Sequence, residues 1–259
     1  MIPIKTPEEL KRMRVACRLS AEVLAEVVAQ VRPGVTTGEL DQFAAQRMKE
    51  LGVKSAFFGY GGFPGYTCIS LNEEVVHGIP GHRVINAGDI VSVDLGVTAE
   101  GFIGDNATTV RVGDVDAETD RLCRICEASL AAGIDAARAG GRLGDIGHAV
   151  QSVAEAAGFS VVRDFCGHGV GQKLHEDPQV PNFGQMGKGP VLKPGMTLAI
   201  EPMVNQGTWK VDVLSNGWTV KTRDRKRSAH YEHTVLIVAS GPAEILTCVE
   251  KKYLCWTRS

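Results

Sequence analysis

A chain of 259 residues, 44% hydrophobic and 22% charged, has the composition of an ordinary soluble globular protein with room for one large domain or two modest ones. The formal net charge of −2, with Lys and Arg spread along the sequence, gives no electrostatic case for nucleic-acid or membrane binding. No apolar run reaches bilayer length and no secretory signal opens the chain, while seven cysteines without regular spacing point to reduced thiols in a cytoplasmic setting.

Thr6-Pro7-Glu8-Glu9 reads as a helix start, with Thr6 as cap, Pro7 at the first helical position and Glu9 closing a capping box. Leu10, Met13, Cys17, Leu24, Val27 and Val31 form an apolar stripe at helical spacing, ended by Pro33-Gly34. A second helix is predicted from Thr37, with Leu40, Phe43, Met48 and Leu51 inward and Gly52 closing it. The stretch from Phe57 to Tyr66, rich in glycine and aromatics, predicts a loop that walls an apolar pocket; it lacks the Gly-Lys-Ser/Thr ending of a phosphate loop. Cys68 opens a strand, a turn follows, and His77 precedes a glycine. A third helix is predicted from Asp116 to near Gly140, a fourth from Leu143 to Gly158. The lone Cys123-Arg-Ile-Cys126 lies in the third helix without a second pair, so it is not a zinc knuckle. The basic run from Lys221 to Arg227 reads as a solvated hairpin.

Ile90 to Val93 is a β-branched run without helical period, a buried strand that would deliver Asp94 at its end. Asp105 starts a second β-rich run, and Gly96, Gly101 and Gly104 lie between the acids as a strand connection would need. Thr197 to Ile200 is a strand ending in Glu201, and a strand begins at Tyr231-Glu232. Gly34, Gly38 and Gly52 recur 106 positions later as Gly140, Gly144 and Gly158, and Gly88–Asp94 recurs as Gly195–Glu201. Helix–helix–strand–strand therefore occurs twice, predicting one domain over 1–259 made of halves 1–115 and 116–259. Such a repeat brings Asp94 and Glu201 to equivalent places.

Four acids at strand ends, joined by His168 in a glycine-flanked turn, exceed the needs of one four-coordinate zinc. They suit two divalent ions bridged by carboxylates, a pair that polarises a carbonyl and yields a nucleophile at neutral pH. Mostly oxygen ligands with one nitrogen favour Mn, Fe or Co, with Zn or Mg as further options. His77 and His175, in loops beside glycine or proline, are the next candidates for hydrogen bonding or proton transfer. His82, His148, His230 and His233 have weaker cases, with His148 on the fourth helix.

Asp94, Asp105, Gly167-His168-Gly, Glu201-Pro-Met and Glu232-His-Thr, together with His77-Gly-Ile-Pro and Leu174-His175-Glu-Asp-Pro, resemble the metal-binding and substrate motifs of the methionine aminopeptidases nearly end to end. The resemblance implies an α+β pita-bread fold, with two pseudo-symmetric helix–helix–strand halves around a curved, mostly antiparallel sheet. It implies a dinuclear site of Asp94, Asp105, His168, Glu201 and Glu232, with Glu201 as proton acceptor and His77 and His175 contacting the peptide. His168 and Glu201 are only 33 positions apart, without the long insertion of type II enzymes, so type I is implied. The expected activity is removal of N-terminal methionine from nascent chains and peptides with a small second residue, in the cytoplasm, by a monomer in transient contact with the ribosome. A pocket for the first side chain is expected from Tyr60, Phe63, Cys68, Trp218 and His77. Phe57, Gly61, Phe63 and Leu174 depart from residues common in that family and bear on the pocket's shape. The competing readings are a proline-directed (Xaa-Pro) aminopeptidase or dipeptidase, which shares the five ligands, and a non-catalytic binding protein, which would have lost ligands.

Overall fold

A computed structural model describes residues 1–248; the tail Tyr253–Ser259 lies outside the described residues. Helix α1 (Pro7–Val28) starts with the expected capping box: Glu9 N–H donates to Thr6 Oγ1, and Thr6 N–H donates to the Glu9 carboxylate. It stops short of Val31 because Gln30 and Val31 donate to carbonyls three residues back, tightening the last turn. Helix α2 (Thr37–Glu50) repeats the box with Thr36 and Glu39. After β1 (Lys54–Ser55), a single 3-10 turn at Tyr60–Gly62, β2 (Cys68–Leu71) and β3 (Glu74–Val76) come the two long strands β4 (Ile90–Ala99) and β5 (Phe102–Arg111). Helices α3 (Ala117–Ala136) and α4 (Leu143–Ala156) follow, α3 ending before Gly140 because Gly140 N–H leaves the helix to donate to Leu192 O. The remaining strands are β6 (Ser160–Val161), β7 (Gly167–Gly169), β8 (Glu176–Val180), β9 (Thr197–Ile200), β10 (Met203–Asn205), β11 (Val211–Val213), β12 (Val220–Thr222), β13 (Ser228–His230), β14 (Glu232–Leu236) and β15 (Glu244–Ile245).

The main sheet runs β1-β4-β5-β14-β9-β7-β8, with β2 on β4 and β15 on β14, every pairing antiparallel. Val23, Leu24, Leu40 and Met48 of the first two helices pack on Val91, Val93, Leu95 and Val97. Leu122, Leu130, Ile146 and Val150 of the second two pack on Leu198, Ile200 and Val235. Each such buried aliphatic contributes about 1.5–3 kcal/mol. Equivalent details recur in the two parts: Gly34 and Gly140 both sit at positive φ, and single bridges join Thr36 to Val84 and Arg142 to Val191.

Two expectations change. Neither Asp94 nor Asp105 is at a strand end: Asp94 lies midway along β4 and Asp105 inside β5, because Gly96 and Gly104 lie within strands and the turn is made by Glu100-Gly101, both at positive φ. A side chain at Gly96 would come within 2.9 Å of the Phe57 ring, and one at Gly104 within 2.4 Å of Cys17 Cα on α1, so both glycines serve close packing. Cysteines 17, 68, 123, 126 and 166 are free, but Cys248 is disulfide-bonded, which corrects the expectation of a wholly reduced set; spacing along the chain does not report pairing in space. The C-x-x-C pair faces inward, Cys126 Sγ donating to Pro202 O and Ala229 O. In the basic run, Lys221, Arg223 and Arg227 pair with Glu73, Asp212 and Asp116.

Candidate metal centre

The β4–β5 register sets Asp94 opposite Ala107 and Gly96 opposite Asp105, so the two acids lie diagonally on one face of the sheet. Glu232 opens β14 opposite the same Ala107. Glu201 directly follows β9, whose Ile200 pairs with His233, and so falls beside Glu232. His168 enters from β7, opposite Ala199, where the β7–β8 ladder shifts register between His168 and Gly169. Ligand atoms of Asp105, His168 and Glu232 lie within 4.8 Å of one another. His168 Nε2 is 3.5 Å from Glu201 Oε1 and 3.7 Å from Asp105 Oδ2, and Asp94 lines the same cavity.

Burial holds all four carboxyls well above the usual carboxylate range. Asp94, Glu201 and Glu232 are raised by burial first and by their acidic neighbours second. Asp105 is pushed up to about 7, again by burial. Asp94 Oδ1, Asp105 Oδ1 and Glu232 Oε1 are buried without a hydrogen-bond partner. Orphaned buried oxygens of this kind are costly unless a cation meets them. His168 is lowered to about 4, by burial and then by His175, so it is neutral at pH 7. Its Nδ1 lies 2.9 Å from Gly169 O; donating there leaves the Nε2 lone pair facing the acids. An oxygen-rich donor set with one neutral imidazole nitrogen, whose raised carboxyls would give up their protons to a cation, fits divalent metals.

The other end of the cavity is aromatic. Tyr60, Phe63, Cys68, His77, His175 and Trp218 all line it, as do Phe57 and Leu174. Cys68 lies opposite Asp94 in the β2–β4 ladder, joining the two ends. Trp218 meets the edge of Phe63 with ring centres 5.1 Å apart and stands 6.3 Å from His77. His77 holds a φ of +58°, uncommon for a side-chain-bearing residue. The following Gly78 is dictated by space, since a Cβ there would lie 2.1 Å from Ile69 O. Burial lowers His77 to about 4 and also lowers His175. The His175 ring sits 4.3 Å from His168, and its Nδ1 is 2.7 Å from Tyr60 Oη.

Sequence reasoning gave His230 a weak case, yet it is 1% exposed, with Nε2 unpartnered and 3.6 Å from Glu201 Oε2. The available signal was its alternation with Glu232, two residues on, which places it on the side of the acids. Phe57 and Leu174, expected to bear on the pocket's shape, line the cavity. His148 lies on α4, half-exposed, beside Ser152.

Residues 11–239 match the Metallopeptidase family M24. Methionine aminopeptidase 1 of Bacillus subtilis is 50% identical over 249 residues, 96% of this chain and all of that protein. The crystal structure of methionine aminopeptidase from Thermotoga maritima superposes with a TM-score of 0.93 at 49% identity, covering 95% of this chain and 99% of that one. Prolidase from Pyrococcus furiosus shares the fold, with a TM-score of 0.77 at 24% identity over 96% of this chain and 66% of its own length.

Proposed function

The chain belongs to metallopeptidase family M24, among its methionine aminopeptidases, and from that premise we propose that it removes N-terminal methionine from nascent chains and peptides whose second residue is small. The observation that carries the reading is the continuity of an aromatic chamber with a cluster of orphaned buried carboxylates in one cavity. Asp94, Asp105, His168, Glu201 and Glu232 would hold two divalent ions, with Mn, Fe or Co ahead of Zn or Mg. Such ions supply Lewis acidity, polarising the scissile carbonyl and acidifying the attacking water. Glu201 accepts the proton of that water and returns it to the leaving amine. His77 and His175, neutral at working pH, donate hydrogen bonds to the peptide on either side of the scissile bond. Phe63, Trp218, Tyr60 and Cys68 enclose the methionine side chain, whose polarizable sulfur packs well against aromatic edges.

The substrates are peptide N-termini and nascent chains, met in the cytoplasm during transient ribosome contact, by a monomer whose halves 1–115 and 116–259 form one catalytic domain. No helix among the described residues is long and apolar enough to cross a membrane. Nothing specific to this chain favours the Xaa-Pro reading, since the prolidase likeness at 24% identity carries the fold alone. The deciding experiment compares hydrolysis of Met-Ala-Ser, Leu-Ala-Ser and Ala-Pro by the metal-loaded protein. Met-Ala-Ser is expected to be cleaved fastest. Faster cleavage of Leu-Ala-Ser refutes the methionine assignment, and faster cleavage of Ala-Pro installs the proline-directed alternative.

A further inference from the structure

We propose that the buried Lys5–Glu176 ion pair is the positioning device for His175, an inference that rests on the reading of His175 as a substrate contact. Glu176 is the first residue of β8, directly after His175, and lies opposite Gly169 across the six-residue connection from 170 to 175. Both carboxylate oxygens are committed. Oε1 accepts the backbone N–H of Gln172 at 2.9 Å and of Lys173 at 3.3 Å, while Oε2 accepts from Lys5 Nζ at 2.6 Å. The side chains of Lys5 and Glu176 are 5% and 10% exposed.

Lys5 is itself held. Its N–H donates to Gly195 O at 2.8 Å, and the next residue, Thr6, caps α1. The connection closes directly over the pair: a Cβ on Gly171 would lie 2.5 Å from Lys5 Cε and 2.6 Å from Glu176 Oε1. Gly171 O also accepts from Ile103 N–H at 2.8 Å, tying the connection to the strand that bears Asp105. The pair therefore fixes the chain immediately before the imidazole that sits between Tyr60 and His168. Stability alone does not account for it, because a buried ion pair is commonly no more stabilising than apolar residues of the same volume. Geometry does: a carboxylate clamped by an ammonium and two amide N–H groups has one orientation, and misplacing a catalytic contact by about 1 Å costs on the order of 10²-fold in rate.

The test measures kcat, KM, bound metal and melting temperature with Met-Ala-Ser for Lys5→Met and Lys5→Arg, each with and without His175→Ala. Lys5→Met is expected to lower kcat about 10- to 100-fold with KM and metal content little changed, and Lys5→Arg to recover most of it. In the His175→Ala background, Lys5→Met should cost less than about 2-fold further, because residues acting through one another are not additive. Wild-type kcat in Lys5→Met, or the same loss repeated on top of His175→Ala, would overturn the proposal. Should Lys5→Met not fold, Glu176→Gln gives the same readings, since it removes the charge but keeps an oxygen for the two loop N–H groups. Full turnover by His175→Ala alone would overturn the role of His175 as well, and that single variant tells the two failures apart.

Discussion

At the acidic end of the cavity every candidate ligand lies in a paired strand or directly after one: Asp94 in β4, Asp105 in β5, His168 in β7, Glu232 in β14, and Glu201 after β9. At the aromatic end Tyr60 sits in a 3-10 turn, and Phe63, His77, His175 and Trp218 sit in connections, with only Cys68 in a strand. Exposure does not divide the same way: Phe63 is as buried as Asp105 and Glu232, at 3%, while Tyr60 stands at 45%. Strand register moves side chains only in whole steps, and a one-residue slip would turn an acid to the opposite face. The connections are instead set by individual hydrogen bonds, such as those from Tyr66 N–H and Thr67 N–H to Asp41 at 2.9 and 2.8 Å. The proposed chemistry would thus be fixed by the sheet, and the proposed selectivity would rest on parts that can be reshaped without disturbing the sheet.

The difference is broken most severely at the acidic end. Asp105→Ala or His168→Ala is expected to lower kcat/KM more than about 10³-fold and to lower bound metal, while the fold survives on Val91, Val93, Leu198 and Ile200. Near-normal turnover by His168→Ala would refute its role. A smaller effect is expected where the substrate crosses between the two ends. Replacing Ala by Leu as the second residue overfills the space near His77 and His175, at about 1–3 kcal/mol or roughly 5- to 150-fold in kcat/KM. Equal rates for Met-Ala-Ser and Met-Leu-Ser would mean that this space is open. The mildest is Phe63→Ala, which removes the ring edge that Trp218 abuts. It should raise KM for Met-Ala-Ser by up to about 10-fold, the scale of a sulfur–aromatic contact, with metal content unchanged; a loss of metal there would show that the two ends are not separable.

The same division explains what could be read from the sequence. The first helix start was legible because a capping box is local, Thr6 and Glu9 lying three residues apart; the Thr36–Glu39 box was equally local and went unread. The five candidate ligands were legible because each stands in or beside a short β-rich or glycine-flanked run. The placement of Asp94 was not, because Gly96 reads as a turn residue until the Phe57 ring is seen packed over it. His230 was underweighted because its significance is a distance to Glu201. The Lys5–Glu176 pair spans 171 positions and leaves no pattern that spacing could reveal.

The central claim, that the buried acids and His168 form a site for two divalent ions, is tested most directly by calorimetric titration of the chelator-stripped protein with Mn²⁺ at pH 6 and pH 8. In the metal-free protein the Asp105 carboxyl is raised to about 7, and Asp94, Glu201 and Glu232 are also raised. Protons therefore compete with metal increasingly as pH falls through that range. The account predicts two ions per chain at pH 8, proton release on binding, and weaker binding at pH 6. Binding that is absent at pH 8, indifferent to pH, or unchanged in His168→Ala would contradict it.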